Sequence, residues 1–163
     1  MKEVEYPKKF KSYNDLENWL NENNIEYTWC DIYQNGDWSY IDEQDFYHLI
    51  RNCKELTKDV KATWIWTHEN GDWIYKDEQG YEHLIRDGIE LTKGIKTKDV
   101  WSYDDGDWYY KDEQGFEHFF RDGIELTKGV KAKEVCCFDN DDWRYLDTEG
   151  NWRKFDKNNN KVK

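Results

Sequence analysis

No run of apolar residues in this 163-residue sequence approaches the length of a membrane span, and the opening stretch MKEVEYPKKFKSYND has no apolar segment of the secretory-signal type. Both absences point to a soluble, cytoplasmic protein. Basic side chains are also in short supply, 24 Lys and Arg against 36 Asp and Glu, for a formal charge of −12. Phosphate contacts need clustered Lys and Arg, so direct binding to nucleic acid or to an anionic membrane is excluded. The four cysteines, Cys30, Cys53, Cys136 and Cys137, do not fall at the C-x2-C spacings of metal sites and read as structural thiols. No Ser-His-Asp or Cys-His arrangement, phosphate-cradling glycine loop or dinucleotide fingerprint is present. Neither a catalytic residue nor a cofactor is expected.

What the sequence does have is a repeat. NGDWIYKDEQG at 70–80 recurs as DGDWYYKDEQG at 105–115, and residues 70–104 match 105–139 at 24 of 35 positions. A period of this length marks a repeat architecture. A more diverged copy occupies 35–69, and a shortened one begins at 140 with NDDWRYLDTEGNW. All ten glycines fall at four phases of the repeat, mostly after Asn, Asp or Lys between aromatic and β-branched runs. Such turns signal tight hairpins. Each unit therefore reads as four short antiparallel strands, at 72–78, 81–86, 89–92 and 95–104 in the second copy, with 25–34 supplying the equivalent of the last strand ahead of the first copy.

Trp and Tyr two apart in a strand project to one face. Trp38 with Tyr40, Trp73 with Tyr75, Trp108 with Tyr110 and Trp143 with Tyr145 are therefore core candidates, their rings building a continuous interior from few residues. The expected fold is all-β: tandem 35-residue repeats forming an elongated meander sheet or a solenoid, or alternatively a closed four-bladed ring. Residues 12–24, SYNDLENWLNENN, carry Leu16, Trp19 and Leu20 at helical spacing after a Ser12 or Asn14 cap and predict one short amphipathic helix. The organisation is then an N-terminal cap at 1–24, repeats at 25–156 with units starting near 35, 70, 105 and 140, and a polar tail at 157–163.

The phrase G-x-W-x-Y-x-D-x-x-G resembles the β-hairpin repeats of bacterial aromatic-rich families. Its period and its NGDWIYKDEQG start are similar to WG-type, or KWG, repeats; GDWYYKDEQG alone resembles choline-binding repeats. The Trp-Gly pair of the first family is absent, Trp being followed by Ser39, Ile74, Tyr109 or Arg144, and the units of the second are much shorter. The resemblance implies a β-repeat fold and carries over no catalytic residue.

Three constellations invite chemistry. His48, His83 and His118 share one phase, where the fourth copy has Arg153, and read as structural histidines that pair across strands or pack on a ring. The acidic clusters at 104–107 and 139–142 do not satisfy the EF-hand pattern and read as hairpin tips. Asp77 with Glu78, and Asp112 with Glu113, point to opposite faces of a strand and cannot converge on one glycosidic bond. Positions that drift between copies are the better candidates for contact with a partner: Ser39, Ile74, Tyr109 and Arg144 at one phase, Tyr47, Glu82, Glu117 and Trp152 at another, Asp31, Trp66, Trp101 and Cys136 at a third. Trp66, Trp101 and Tyr109, with Asp104, Asp105 and Asp107, form the candidate aromatic-acidic strip. The reading is a non-enzymatic protein that engages a basic protein, in its sharper form an inhibitor of a nucleic-acid-handling complex. A carbohydrate or cell-wall binder and a self-associating structural repeat are the alternatives.

Overall fold

The computed structural model describes residues 4–163 and divides into two compact units, 1–93 and 94–163. It is all-β apart from one helix, and its strands form four separate four-stranded antiparallel sheets rather than one continuous meander. Sheet 1 contains β1 (Trp29–Ile32), β2 (Trp38–Ile41), β3 (Tyr47–Arg51) and β4 (Lys54–Glu55); sheet 2 contains β5 (Trp64–Thr67), β6 (Trp73–Lys76), β7 (Glu82–Arg86) and β8 (Ile89–Glu90). In the second unit, sheet 3 contains β9 (Val100–Ser102), β10 (Trp108–Lys111), β11 (Glu117–Arg121) and β12 (Ile124–Glu125), and sheet 4 contains β13 (Glu134–Cys137), β14 (Trp143–Leu146), β15 (Trp152–Phe155) and β16 (Lys161–Val162). Sheet and sequence repeat are out of phase. A strand that closes one sequence repeat pairs with the opening strand of the next, as β9 does with β10 through Trp101 and Tyr109.

The turn between the second and third strands of each sheet is built by one aspartate. Asp77 Oδ1 accepts backbone N–H bonds from both Gln79 and Tyr81, at 2.9 Å each, and Asp42, Asp112 and Asp147 repeat the arrangement. This Asx geometry adds to the backbone bonds Asp77 N–H to Tyr81 O and Gly80 N–H to Asp77 O, and together they close a tight reversal. Gly80 has φ +82° in that turn, and the first copy places Asp45 there at φ +64°, a residue whose short polar side chain tolerates the left-handed region.

In the first unit α1 (Tyr13–Glu22) starts at Ser12, whose Oγ accepts the Asp15 N–H at 3.2 Å. Its apolar stripe, Leu16 and Leu20, is wholly buried on the Trp38, Tyr40 and Ile50 face of sheet 1. Trp38 sits in an aromatic cage, edge-on to Phe10 at 5.0 Å and to Trp19 at 5.4 Å, and its indole N–H donates to the Pro7 carbonyl at 3.0 Å. No polar atom of that ring is left to offset its burial. The opposite face of sheet 1, through Leu49, packs on Ala62, Ile65, Trp73 and Tyr75 of the following segment and sheet. The second unit repeats this contact with Phe119 against Ala132, Val135 and Trp143.

Polar groups tie the sheets together at fixed phases. In sheets 1, 2 and 3 a threonine hydroxyl accepts a buried strand N–H: Thr57 from Leu49, Thr92 from Leu84 and Thr127 from Phe119. Asp37, Asp72 and Asp107 each accept a bidentate or forked bond from an arginine fourteen residues on, Arg51, Arg86 and Arg121. Arg51 continues to the Gly71 carbonyl, and Arg121 to the Asp141 carbonyl at 2.7 Å, so one guanidinium fastens a hairpin tip to the tip of the next sheet. Among the described residues no helix is long and apolar enough to cross a membrane.

Candidate functional site

Each of the three repeated histidines is bonded through both ring nitrogens. His83 Nδ1 lies 2.7 Å from Glu90 and its Nε2 3.1 Å from Asp77, while the ring stacks on Tyr75. His48 is held by Glu55, Asp42 and Tyr40, and His118 by Glu125, Asp112 and Tyr110, in the same way. Burial works against protonation of these rings, but their hydrogen bonds to two carboxylates, and the charge of those groups, outweigh it and hold each histidine pKa above its ordinary value. Both nitrogens are committed and one ring face is covered, which leaves nothing to accept a substrate proton or bind a metal. The second oxygen of the turn aspartate is what holds the ring, so one side chain both closes the turn and clamps the histidine. In sheet 4 the same place is taken by Arg153, which donates to Asp147 at 2.8 Å.

The drifting phases separate into interior and surface. Ser39 and Ile74 are fully buried, and Tyr109 is half-buried against the Phe119 cluster, so most of that phase is packing rather than a contact surface. Glu117 is buried as well, its Oε2 accepting the Val135 N–H at 2.6 Å across to sheet 4, and burial pushes its carboxyl pKa up. The phase of Trp66 and Trp101 is different. Both indoles are exposed, Trp66 at 45% and Trp101 at 41%, and Trp64 lies on the same side of β5 as Trp66.

Of the six residues of the candidate strip, five lie in the second unit, and four of them are on the surface or half-buried at one hairpin. Trp101 and Tyr109 are cross-strand partners in β9 and β10, and Asp104 and Asp105 are exposed at the tip between those strands. Asp107 is beside them in sequence but turned inward, buried and bonded to Arg121 at 2.7 Å. Burial drives its carboxyl pKa up although the guanidinium opposes the change. Its role is to hold the tip, not to meet solvent. Asp105 Oδ1 accepts the Asp107 N–H at 2.9 Å, which fixes the turn that displays the two outer acids. Trp66 occupies the corresponding strand of the first unit. Missing from the sequence-based reading was the Asp-to-Arg spacing of fourteen, identical in three copies, which marks Asp107 as a paired interior group.

No protein-family model and no curated protein sequence matches the chain. Among solved structures it is similar to YCF48 bound to D1 peptide, with 9% identity over 84% of this chain and 52% of that one, at a TM-score of 0.44. It is also similar to the WD40 β-propeller domain of Doa1, with 13% identity over 77% of this chain and 49% of that one (TM-score 0.37). A third is BBS1N in complex with ARL6DN, with 9% identity over 84% and 51% (TM-score 0.37). The chain spans about half the length of each.

Proposed function

We propose that the chain is a non-enzymatic binding module whose exposed aromatic and acidic groups engage a basic protein. The observation that supports this most directly is the β9–β10 hairpin, where Trp101 stands beside Tyr109 and below two outward carboxylates, Asp104 and Asp105. Carboxylates attract Lys and Arg side chains, and an indole face beside them offers a second attraction to the same cation. The protein already uses this pairing internally, with the Lys76 ammonium 5.5 Å from the Trp64 ring centroid. Trp66 adds an exposed indole at the equivalent strand of the first unit. In its sharper form the partner is a cytoplasmic nucleic-acid-handling protein whose Lys/Arg groove receives this surface in place of phosphate. The formal charge of −12 supports that form.

A second reading has one observation in its favour. Trp64 and Trp66 alternate along β5 and are both exposed, an arrangement on which sugar rings stack. Ionic strength separates the two, because salt screens an exposed charge contact and hardly affects stacking on a neutral sugar. The test compares retention of a basic protein partner by the native chain and by Trp101→Ala and Asp104→Asn/Asp105→Asn variants across a salt series. Retention that is lost in both variants and falls with salt is the expected result; retention indifferent to salt and to the acids removes the basic-partner reading.

A further inference from the structure

One face of sheet 4 departs from its counterparts. In sheet 1 the cross-strand pair Ser39 and Leu49, and in sheet 3 the pair Tyr109 and Phe119, face the following sheet, with Leu49 and Phe119 at the centre of the apolar contact. Sheet 4 has Arg144 opposite Lys154 in that register. The Arg144 guanidinium lies 4.1 Å over the Trp152 ring and 5.4 Å from Phe138. Its Nε is buried with no hydrogen-bond partner. Among the described residues neither Arg144 nor Lys154 forms an ion pair, whereas Arg51, Arg86, Arg121 and Arg153 all do. A guanidinium beside two rings and without a carboxylate partner retains N–H donors suited to a carboxylate. Residues 152–163 carry five basic side chains and one acidic one in a chain of net charge −12.

The same chain supplies the complementary chemistry. Residues 12–31 contain five acidic side chains and no basic one. Asp15 and Glu22 of α1, seven residues apart, share one exposed face, since the helix buries only Leu16 and Leu20 fully; Glu17 is exposed on the other flank. Lys8 and Lys9 line a cleft beside Asn35 and Asn70, leaving Lys11 as the base nearest the helix in sequence.

The geometry points to head-to-tail self-association, in which the Arg144 and Lys154 face of one copy receives the acidic outer face of α1 from a second copy. The two surfaces differ, so the contact is heterologous, and a pair of copies keeps one free basic face and one free acidic face, one on each copy. It uses neither the β9–β10 tip nor the exposed indoles of the proposed partner site, and the two stand or fall separately.

Sedimentation velocity on the full chain tests it, at low and high ionic strength over a range of protein concentrations. The native chain is expected to sediment faster as concentration rises at low salt and to return to a monomer at high salt. Arg144→Glu/Lys154→Glu and Asp15→Lys/Glu22→Lys variants are each expected to remain monomeric. An equimolar mixture of the two restores association, because each swapped surface then meets its complement, and this recovery also shows that both variants are folded. A native chain that is monomeric throughout overturns the inference. So does association that survives in either variant alone, or variants that fail to recover it when mixed.

Discussion

The imidazole of His83 lies flat on the ring of Tyr75, with centroids 4.6 Å apart and planes 11° apart, while a carboxylate holds each of its nitrogens. The same unit occurs three times, and it gives the fold a defined pH dependence. Each histidine pKa is raised in the folded state, so protonated imidazole contributes its full stabilisation below the unfolded value of about 6.5 and loses it as pH rises through the folded value. Asp42, Asp77 and Asp112 are lowered, although burial opposes it, because they bond the histidines and the turn N–H groups. Their contribution is complete above the unfolded value of about 3.9 and is lost as pH falls through the folded one.

Thermal stability should therefore be greatest between about pH 4.5 and 6.5 and decline on the alkaline side as the histidines deprotonate. Sheet 4 shows that arginine fits this phase, since Arg153 pairs with Asp147 there. A His118→Arg variant should lose less stability than the native chain between pH 6.5 and 8.5. Melting curves across that range check this, and identical slopes in the two proteins would remove the histidine from the explanation.

Arg121 and Asp107 are nearly buried, with side chains 12% and 7% exposed. Replacing Arg121 with Met strands an inward carboxylate and releases the Asp141 carbonyl, at a cost of about 3 kcal/mol. Adding Asp107→Asn should recover part of the loss, since the uncompensated charge is then gone. Urea unfolding of the two variants measures the coupling. A double variant less stable than Arg121→Met would contradict the pairing.

Thr127 accepts the Phe119 N–H at 2.9 Å in the interior of sheet 3. Valine at this position keeps the shape and leaves the N–H without an acceptor, costing about 1–3 kcal/mol, whereas Ser retains most of the stability. The difference between the two variants in denaturant midpoint isolates the hydroxyl.

Trp101 and Trp108 separate surface from core within one hairpin. Trp108 is buried and stacks on Phe120 at 4.1 Å, so Trp108→Ala should destabilise by about 3–5 kcal/mol. Trp101→Ala should leave the melting temperature nearly unchanged and remove binding. Equal destabilisation by the two would mean that Trp101 belongs to the packing.

Much of the fold was legible because it is written in local chemistry. Ser12 before the Leu16 and Leu20 stripe marks α1, and the Asp-to-Gly turns mark the hairpins. The sheet boundaries were not legible in the same way. A sequence repeat can be cut at any phase, and the hairpin pairing of Trp101 with Tyr109 shows that the sheet opens with the strand that ends a repeat. Burial was the other gap. Alternation makes Ile74 look outward from the Trp73 face, yet β6 buries Trp73, Ile74 and Tyr75 alike. Asp107 resembles its neighbours Asp104 and Asp105 in sequence, and only its bond to Arg121 separates it from them.

The most direct test of the binding account is capture of partners from cytosolic extract by the native chain and by Asp104→Asn/Asp105→Asn and Trp101→Ala variants, with nuclease present and a salt elution series. The account expects one basic nucleic-acid-binding protein, retained despite nuclease, released by salt, displaced by duplex DNA and absent from both variants. Retention that depends on nucleic acid, or that is the same for the native chain and both variants, would contradict it.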